Sequence, residues 1–257
     1  MTKFPKSEKY NFARTLVKKH KLVPYLDKYL SKEVEGLEFR LDPKVGDDAW
    51  HPSGHCTPSV DALFAIATGT AESRNWGSLH KSFAVGHFWH QLLQKAVVDL
   101  DLAEESSIER RGYKGWGEAP RVLGAAPWFP YHWATGSGDV APLVLPKHGE
   151  YVIDFKTMSG QQFRQESLPE WAADKYEAQI NIYMDFFDID KGIIVAICKD
   201  SPHDMKEFEF VRNQELIDAI YEKWIFVSDC LDGNSVIDED AIRYYTLDDL
   251  FMGPITQ

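Results

Sequence analysis

The sequence predicts an α/β protein: a mixed central sheet flanked by helices, with a helical elaboration ahead of it. Two observations point there. After Tyr131, short segments rich in β-branched and aromatic residues alternate with helical ones, in the order strand, strand, helix, strand. Before Tyr131, apolar residues recur at helical spacing instead.

Ser7 to Tyr29 reads as one or two helices broken at Pro24, and Glu33 to Asp48 as a charged loop. Thr57 is expected to cap a helix that Pro58 opens and Gly69 closes. Trp76 to Leu100 carries a longer helix, with Phe83, Phe88, Trp89, Leu92, Leu93 and Val97 at helical spacings. Ala103 to Pro130 is polar and punctuated by Gly and Pro, and no element is assigned to it. Tyr131–Leu145, Tyr151–Thr157 and Gly192–Cys198 read as strands, with a helix from Trp171 to Phe187 between the last two. Phe208–Val211 is a fourth short strand. Asn213–Cys230 is a closing helix with Leu216, Ile217, Ile220, Trp224 and Val227 on one face. There is no repeat or Gly/Ser linker, so one domain is expected over residues 1–257. Within it, 1–75 would be the helical elaboration, 76–230 the core and 231–257 a C-terminal tail.

Composition bounds the function. With 44% hydrophobic and 13% aromatic residues, a real core can form and global disorder is excluded. No apolar run approaches the roughly 20 residues that cross a bilayer, and Met1 to Lys9 has no signal-peptide pattern. Cys56, Cys198 and Cys230 lie far apart, which suits neither a disulfide framework nor a thiolate zinc site. The expectation is a cytoplasmic protein with no membrane partner. Lys and Arg number 28 against 40 Asp and Glu, a net charge of −12, which argues against a protein that coats nucleic acid. It leaves room for an enzyme that grips a few nucleotides, where a divalent cation offsets clustered carboxylates. No Gly-x-x-x-x-Gly-Lys-Ser/Thr run is present, so an ATP motor is not expected.

Four segments carry chemistry. In Val152-Ile153-Asp154-Phe155-Lys156-Thr157, strand alternation sends Asp154 and Lys156 to one face and Ile153 and Phe155 to the other. A solvated polar face would give the same pattern. Asp139 follows Gly136-Ser137-Gly138, and a connection through Lys147-His148-Gly149 would set it beside Asp154. Two neighbouring carboxylates repel unless a cation lies between them, and Mg²⁺ or Mn²⁺ take such oxygen ligands. Taken alone, Asp139 also reads as a turn aspartate. Gln179 and Tyr183 are one helical turn apart, a spacing equally common on an ordinary helix surface. In Gly86-His87-Phe88-Trp89-His90, Gly86 and His90 share a face. A neutral imidazole at His90 suits a metal, though His87 competes and simple packing explains a lone histidine as well.

In order, Gly-x-x-x-His, Gly-x-x-Asp, Asp-x-Lys and Gln-x-x-x-Tyr resemble the RecB-like branch of the PD-(D/E)xK nucleases, the group of phage and CRISPR-associated RecB-like exonucleases. The resemblance covers about residues 50 to 200 and includes His51-Pro52-Ser53-Gly54-His55-Cys56 upstream. It implies a restriction-endonuclease-like core and a Mg- or Mn-dependent DNA exonuclease of recombination or processing. One or two ions would be held by His90, Asp139, Asp154 and the backbone carbonyl of Phe155. Lys156 would orient the attacking water or offset charge, and Gln179 and Tyr183 would brace Lys156 or contact DNA. Arg110, Arg111, Lys114 and Arg121 would supply the phosphate-gripping patch, although a solvated loop explains them equally. Linear DNA ends, and a recombinase or single-strand-annealing protein, are the implied partners, in the host cytoplasm if the chain is phage-encoded. Iron–sulfur members of the group use four cysteines, and three cannot supply them, so no iron–sulfur cluster is expected. The alternatives are a structure-specific endonuclease and a non-cleaving DNA-binding or assembly protein that retains the fold.

Overall fold

The computed structural model describes residues 20–30, 49–71, 76–116, 131–164, 170–201 and 204–255. Helices α1 (Val23–Leu30), α2 (Pro52–His55), α3 (Val60–Ala67) and α4 (Trp76–Asp99) precede a five-stranded sheet. Its strands are β1 (Ile108–Gly115), β2 (Trp133–Leu145), β3 (Gly149–Met158), β4 (Lys191–Cys198) and β5 (Met205–Val211). Helices α5 (Gly160–Phe163) and α6 (Glu170–Phe187) join β3 to β4, and α7 (Gln214–Leu231) and α8 (Glu239–Tyr244) come after β5. The strands lie in the order β1-β2-β3-β4-β5. β3 and β4 are parallel and the other pairs antiparallel, so the sheet is mixed. Among the described residues, no helix is long and apolar enough to cross a membrane.

The sheet is packed on both faces, which is why β3 and β4 are apolar almost throughout. Ile153, Phe155, Ile193, Val195 and Ile197 meet Leu93, Ala96 and Val97 of α4 and Leu22, Val23 and Leu26 around α1. Val152, Ile194, Ala196, Phe208 and Phe210 meet Ile180, Tyr183 and Met184 of α6 on the opposite face. The other side of α6 is covered too: Ala178 and Ile182 pack with Leu216, Ile220 and Trp224 of α7. A helix buried on two sides cannot carry a wide polar stripe, and α6 does not.

Most predicted elements form, with shifted ends. Pro24 lies in the first turn of α1, where a missing N–H costs nothing, so it opens that helix and does not break it. Ser59, not Thr57, occupies the N-cap position of α3, and Gly69 just beyond its end adopts φ +70°. Ser7 to His20 and Glu33 to Asp48 fall wholly or mainly outside the described residues. β1 was not expected. Its sequence, Ile-Glu-Arg-Arg-Gly-Tyr-Lys-Gly, lacks apolar alternation because it is an edge strand with one largely exposed face. The C-terminal stretch is docked: Phe251 and Leu247 are buried, and Ile255 N–H donates to the Glu209 carbonyl at 2.7 Å.

A bulge in β2 opens a gap beside β3. Between the pairs Val140↔Ile153 and Leu143↔Tyr151, β2 spends one residue more than β3. The β2–β3 ladder runs from Leu145↔Gly149 to Val140↔Ile153. Toward its start, β2 is bordered instead by β1 and, at Ala134, by Trp50. The two strands therefore splay beyond Val140, and Asp139 stands at the opening.

Candidate active site

Asp139 and Asp154 come from the two strands that splay. Both are buried, at 7% and 3% exposure. Beyond the end of the ladder, the Phe155 N–H has no β2 carbonyl opposite it, and it donates to Asp139 Oδ2 at 2.5 Å. The N–H and C=O of one residue in an extended strand point to the same edge. The Phe155 carbonyl thus shares the β2 side of β3 with the Asp139 carboxylate. The hairpin that brings them together turns through Pro146-Lys147-His148, with Lys147 at φ 70° and Gly149 at φ 91°.

The predicted alternation holds: Ile153 and Phe155 join the core beneath α4, and Asp154 faces α6. Lys156 Nζ lies 2.6 Å from Asp154 Oδ2. No hydrogen bond of good geometry reaches that buried oxygen, so the contact is an ion pair of charges packed close together. Gln179 Nε2 donates to Asp154 Oδ1 at 3.3 Å and to the Tyr183 hydroxyl at 3.2 Å. Gln179 thus holds Asp154 and is itself tied to Tyr183, where bracing of Lys156 or contact with DNA had been expected. Gly136 makes this possible, since a Cβ there would lie 3.0 Å from the Tyr183 ring and 3.1 Å from Pro52.

His90 enters from the opposite face of the sheet. Its Nδ1 is 3.4 Å from Asp139 Oδ1, and its ring centroid is 6.1 Å from that of Phe155. Gly86, one turn earlier, faces β3: a Cβ there would sit 3.4 Å from Thr157 Oγ1, at ordinary contact distance. His90 is half-buried and His87 exposed.

The charges balance one another. Burial pushes the Asp154 carboxyl up, and the Lys156 ammonium offsets this in part, leaving its pKa raised. Burial also opposes ionisation of Asp139, but His90, Lys156 and the Phe155 N–H outweigh it and its pKa is lowered. Burial disfavours the charged forms of His90 and Lys156, and the carboxylates overcome it, so both are raised. Burial foremost holds the Tyr183 phenol well above its usual range, so it stays protonated.

Two further residues join the cluster. The Tyr176 ring lies 5.4 Å from Lys156 Nζ, and Gln94 Nε2 donates to the Asp139 carbonyl at 3.4 Å and to Glu109 Oε1 at 2.8 Å. Both were within reach of the helical spacing rule, as Tyr176 is three residues before Gln179 and Gln94 four after His90. The basic residues predicted for DNA lie on β1. Arg110 packs on the Phe187 ring at 5.2 Å, Arg111 Nε donates to Thr135 Oγ1 at 3.1 Å, and Lys114 is 3.5 Å from Asp185. Arg121 lies outside the described residues.

No protein-family model matches the chain, and no curated protein matches it significantly. Among solved structures it is similar to SSO0001, with a TM-score of 0.45 and 16% identity over 81% of this chain and 84% of that one. It is also similar to the alkaline exonuclease LHK-Exo from Laribacter hongkongensis, with a TM-score of 0.37 and 14% identity over 77% of this chain and 91% of that one. Both likenesses are too distant to assign a function.

The donor set suits a hard cation. It offers two buried carboxylates, a backbone carbonyl on the same strand edge, an imidazole nitrogen, and one buried carboxylate oxygen that lacks a good hydrogen bond. Among the described residues, no group of three or more His, Cys, Asp and Glu closes into a cage that could hold a metal. Mg²⁺ commonly binds through one or two carboxylates, with water and substrate phosphate completing its shell. Cys56, Cys198 and Cys230 are buried and unpaired, and burial pushes the Cys56 thiol up, as for a small core residue.

Proposed function

We propose that the chain is a metal-dependent deoxyribonuclease of the PD-(D/E)xK type, a RecB-like exonuclease that hydrolyses phosphodiester bonds from linear ends. The observation that carries this reading is the meeting of Asp139, Asp154, Lys156 and His90 where β2 and β3 splay, with Gln179 and Tyr183 behind Asp154. Asp139, Asp154, the Phe155 carbonyl and His90 would hold one or two Mg²⁺ or Mn²⁺ ions. Such an ion, when bound, lowers the pKa of water and offsets phosphate charge.

The remaining work falls to the chain's own residues. Lys156 keeps its proton, so its ammonium can turn from Asp154 toward a phosphate oxygen or an attacking water. Gln179 holds Asp154 by Oδ1, leaving Oδ2 as the oxygen that is released when Lys156 turns. The Phe155 N–H and His90 fix the Asp139 carboxylate at both oxygens. Arg110, Arg111 and Lys114 on β1, with Arg121, would hold the DNA backbone.

End-labelled linear DNA and a covalently closed circle of the same sequence test the reading. With Mn²⁺ the linear form is expected to be degraded and the circle to survive, and EDTA should stop the reaction. Asp154→Ala should lower the rate more than about a hundredfold while preserving the fold. Wild-type cleavage by Asp154→Ala would remove this centre from the reaction. Rapid loss of the circle would make the enzyme an endonuclease. A non-cleaving DNA-binding protein would leave both substrates intact.

A further inference from the structure

The polar side of β3 meets α6 rung by rung. α6 joins the parallel strands β3 and β4, so it runs back along β3, and falling numbers on the helix accompany rising numbers on the strand. Gln179 Nε2 donates to Asp154 Oδ1 at 3.3 Å. Two residues further along the strand, Lys156 lies over the ring of Tyr176, three residues back on the helix, with Nζ 5.4 Å from the centroid. Two strand residues span about 6.7 Å and three helical ones about 4.5 Å, a mismatch that a lysine stem covers. Val152 and Met158, the next residues on that face of β3, share the apolar core with Ile180 and Ala173 of α6. One register thus sets Asp154 against Gln179 and Lys156 against Tyr176.

The two partners of Lys156 differ in kind. Asp154 Oδ2, at 2.6 Å from Nζ, offers a full charge. The Tyr176 ring offers the negative face of its π system, which attracts an ammonium without carrying a charge of its own. The Lys156 side chain is 18% exposed and that of Asp154 4%, so the ammonium is the outer member of the pair. A carboxylate that has accepted a cation keeps little attraction for a second positive charge beside it. A lysine stem is flexible and its head strongly hydrated, so an ammonium released by Asp154 and held by nothing else would swing into water. The ring stays in place through that exchange, because Tyr176 is half-buried and packs against the core that contains Met158 and Phe163.

We propose that Tyr176 is the positioning residue for Lys156: its ring keeps the ammonium beside the Asp139–Asp154 centre when Asp154 Oδ2 turns to a cation, in reach of a phosphate oxygen or an attacking water. The role in the reaction rests on the nuclease reading above, and the placement of the ammonium is tested without it. Asp154→Asn removes the charge at Oδ2 with no metal present. NMR in EDTA, with lysine isotope-labelled at Cε, then reads where Lys156 lies, since a ring beneath the ε-CH₂ group moves its protons upfield. Lys156→Met identifies the signal. The upfield shift should be present in wild type, in Asp154→Asn and in Tyr176→Phe, which keeps the ring, and lost in Tyr176→Leu. A shift that vanishes in Asp154→Asn would overturn the proposal, because Asp154 alone would then hold the ammonium. So would a wild-type signal at the free-lysine position, or one that Tyr176→Leu leaves unmoved. Digestion with Mn²⁺ reads the role in the reaction. Tyr176→Leu should lower kcat about two- to thirtyfold with KM for DNA little changed, and Tyr176→Phe should restore most of the rate. Equal losses in the two variants, or full kcat in Tyr176→Leu, would overturn the positioning role. A wild type that cuts no DNA while the NMR pattern holds would overturn the nuclease reading and not the placement of the ammonium.

Discussion

The main-chain N–H of Phe155 donates to the Asp139 carboxylate at 2.5 Å, joining β3 to β2 just past the point where their ladder stops. A buried N–H without a strand partner is costly, and the acidic side chain satisfies it. The same carboxylate meets His90 with its other oxygen. Asp139 therefore serves both the shape of the opening and its charge. Asp139→Asn separates these roles. The amide keeps the volume but can accept on one side alone, so either Phe155 or His90 faces an NH₂ group. We expect a loss of about 1–3 kcal/mol in urea unfolding. We also expect a rate reduced more than about a hundredfold at saturating Mn²⁺. An Asn variant with full activity would show that the negative charge of Asp139 is dispensable.

His90 and His87 provide a second comparison. The two differ by about 60° around α4 the short way, because each residue turns about 100°. His90 lies against Asp139 and His87 is exposed. His90→Ala should raise the Mn²⁺ needed for half-maximal rate, by about tenfold if the imidazole is a ligand or its immediate support. His87→Ala should change it much less. A titration of rate against Mn²⁺ reads both, and the reverse ranking would place the wrong histidine at the centre.

The site was more legible than its surroundings, and the reasons are local. Asp154 and Lys156 flank a core phenylalanine in an apolar strand, so alternation alone assigns their face. Gly86 and His90 obey the helical turn. The partner of Gln179 was not legible. Spacing shows that Gln179 and Tyr183 share a side of α6, but which strand residue they meet depends on how α6 lies across the sheet. β1 was missed because its residues obey no apolar period, and its pairing with β2 is a long-range event. The bulge between Val140 and Leu143 also left no clear sequence signal, yet it creates the opening.

Lys223 supplies a pH prediction remote from the site. It is 1% exposed, and its Nζ lies 3.4 Å from the Cys56 carbonyl, its one hydrogen-bond acceptor among the described residues. Burial lowers its pKa from 10.5 to about 8. Between those values the unfolded chain holds a proton that the native protein does not, so stability rises as pH climbs from about 8 to about 10.5. Below about pH 8 the buried charge is present in full and costs about 3 kcal/mol. Lys223→Met keeps the stem and removes the charge. We expect it to be more stable than wild type at pH 7, with the difference shrinking toward pH 10.5. Urea titrations at four or five pH values measure this, and a pH-independent difference would show that Lys223 has the same pKa in the folded and the unfolded chain.

The C-terminal stretch yields the last prediction. Glu177 on α6 is 2% exposed, and its carboxylate accepts from the N–H groups of Met252 at 2.6 Å and Gly253 at 2.7 Å. One turn on, Asn181 Oδ1 accepts from Asn213 N–H at 2.7 Å, and Asn213 Nδ2 donates to the Leu250 carbonyl at 2.8 Å. These bonds tie residues 250–253 to the helix that carries Gln179 and Tyr183. Hydrogen bonds to a charged group are worth about 1.5–3 kcal/mol each when their loss leaves a buried group unpaired. Glu177→Ala should lower stability by at least about 2 kcal/mol. A chain ending at Leu250 should lose a similar amount, because it strands the Glu177 carboxylate without these two donors. If the two changes act through the same contact, combining them should cost less than their sum, by roughly 1–3 kcal/mol. Stabilities that add fully would separate Glu177 from the C-terminal contact and leave its burial to be satisfied within α6 and its other neighbours.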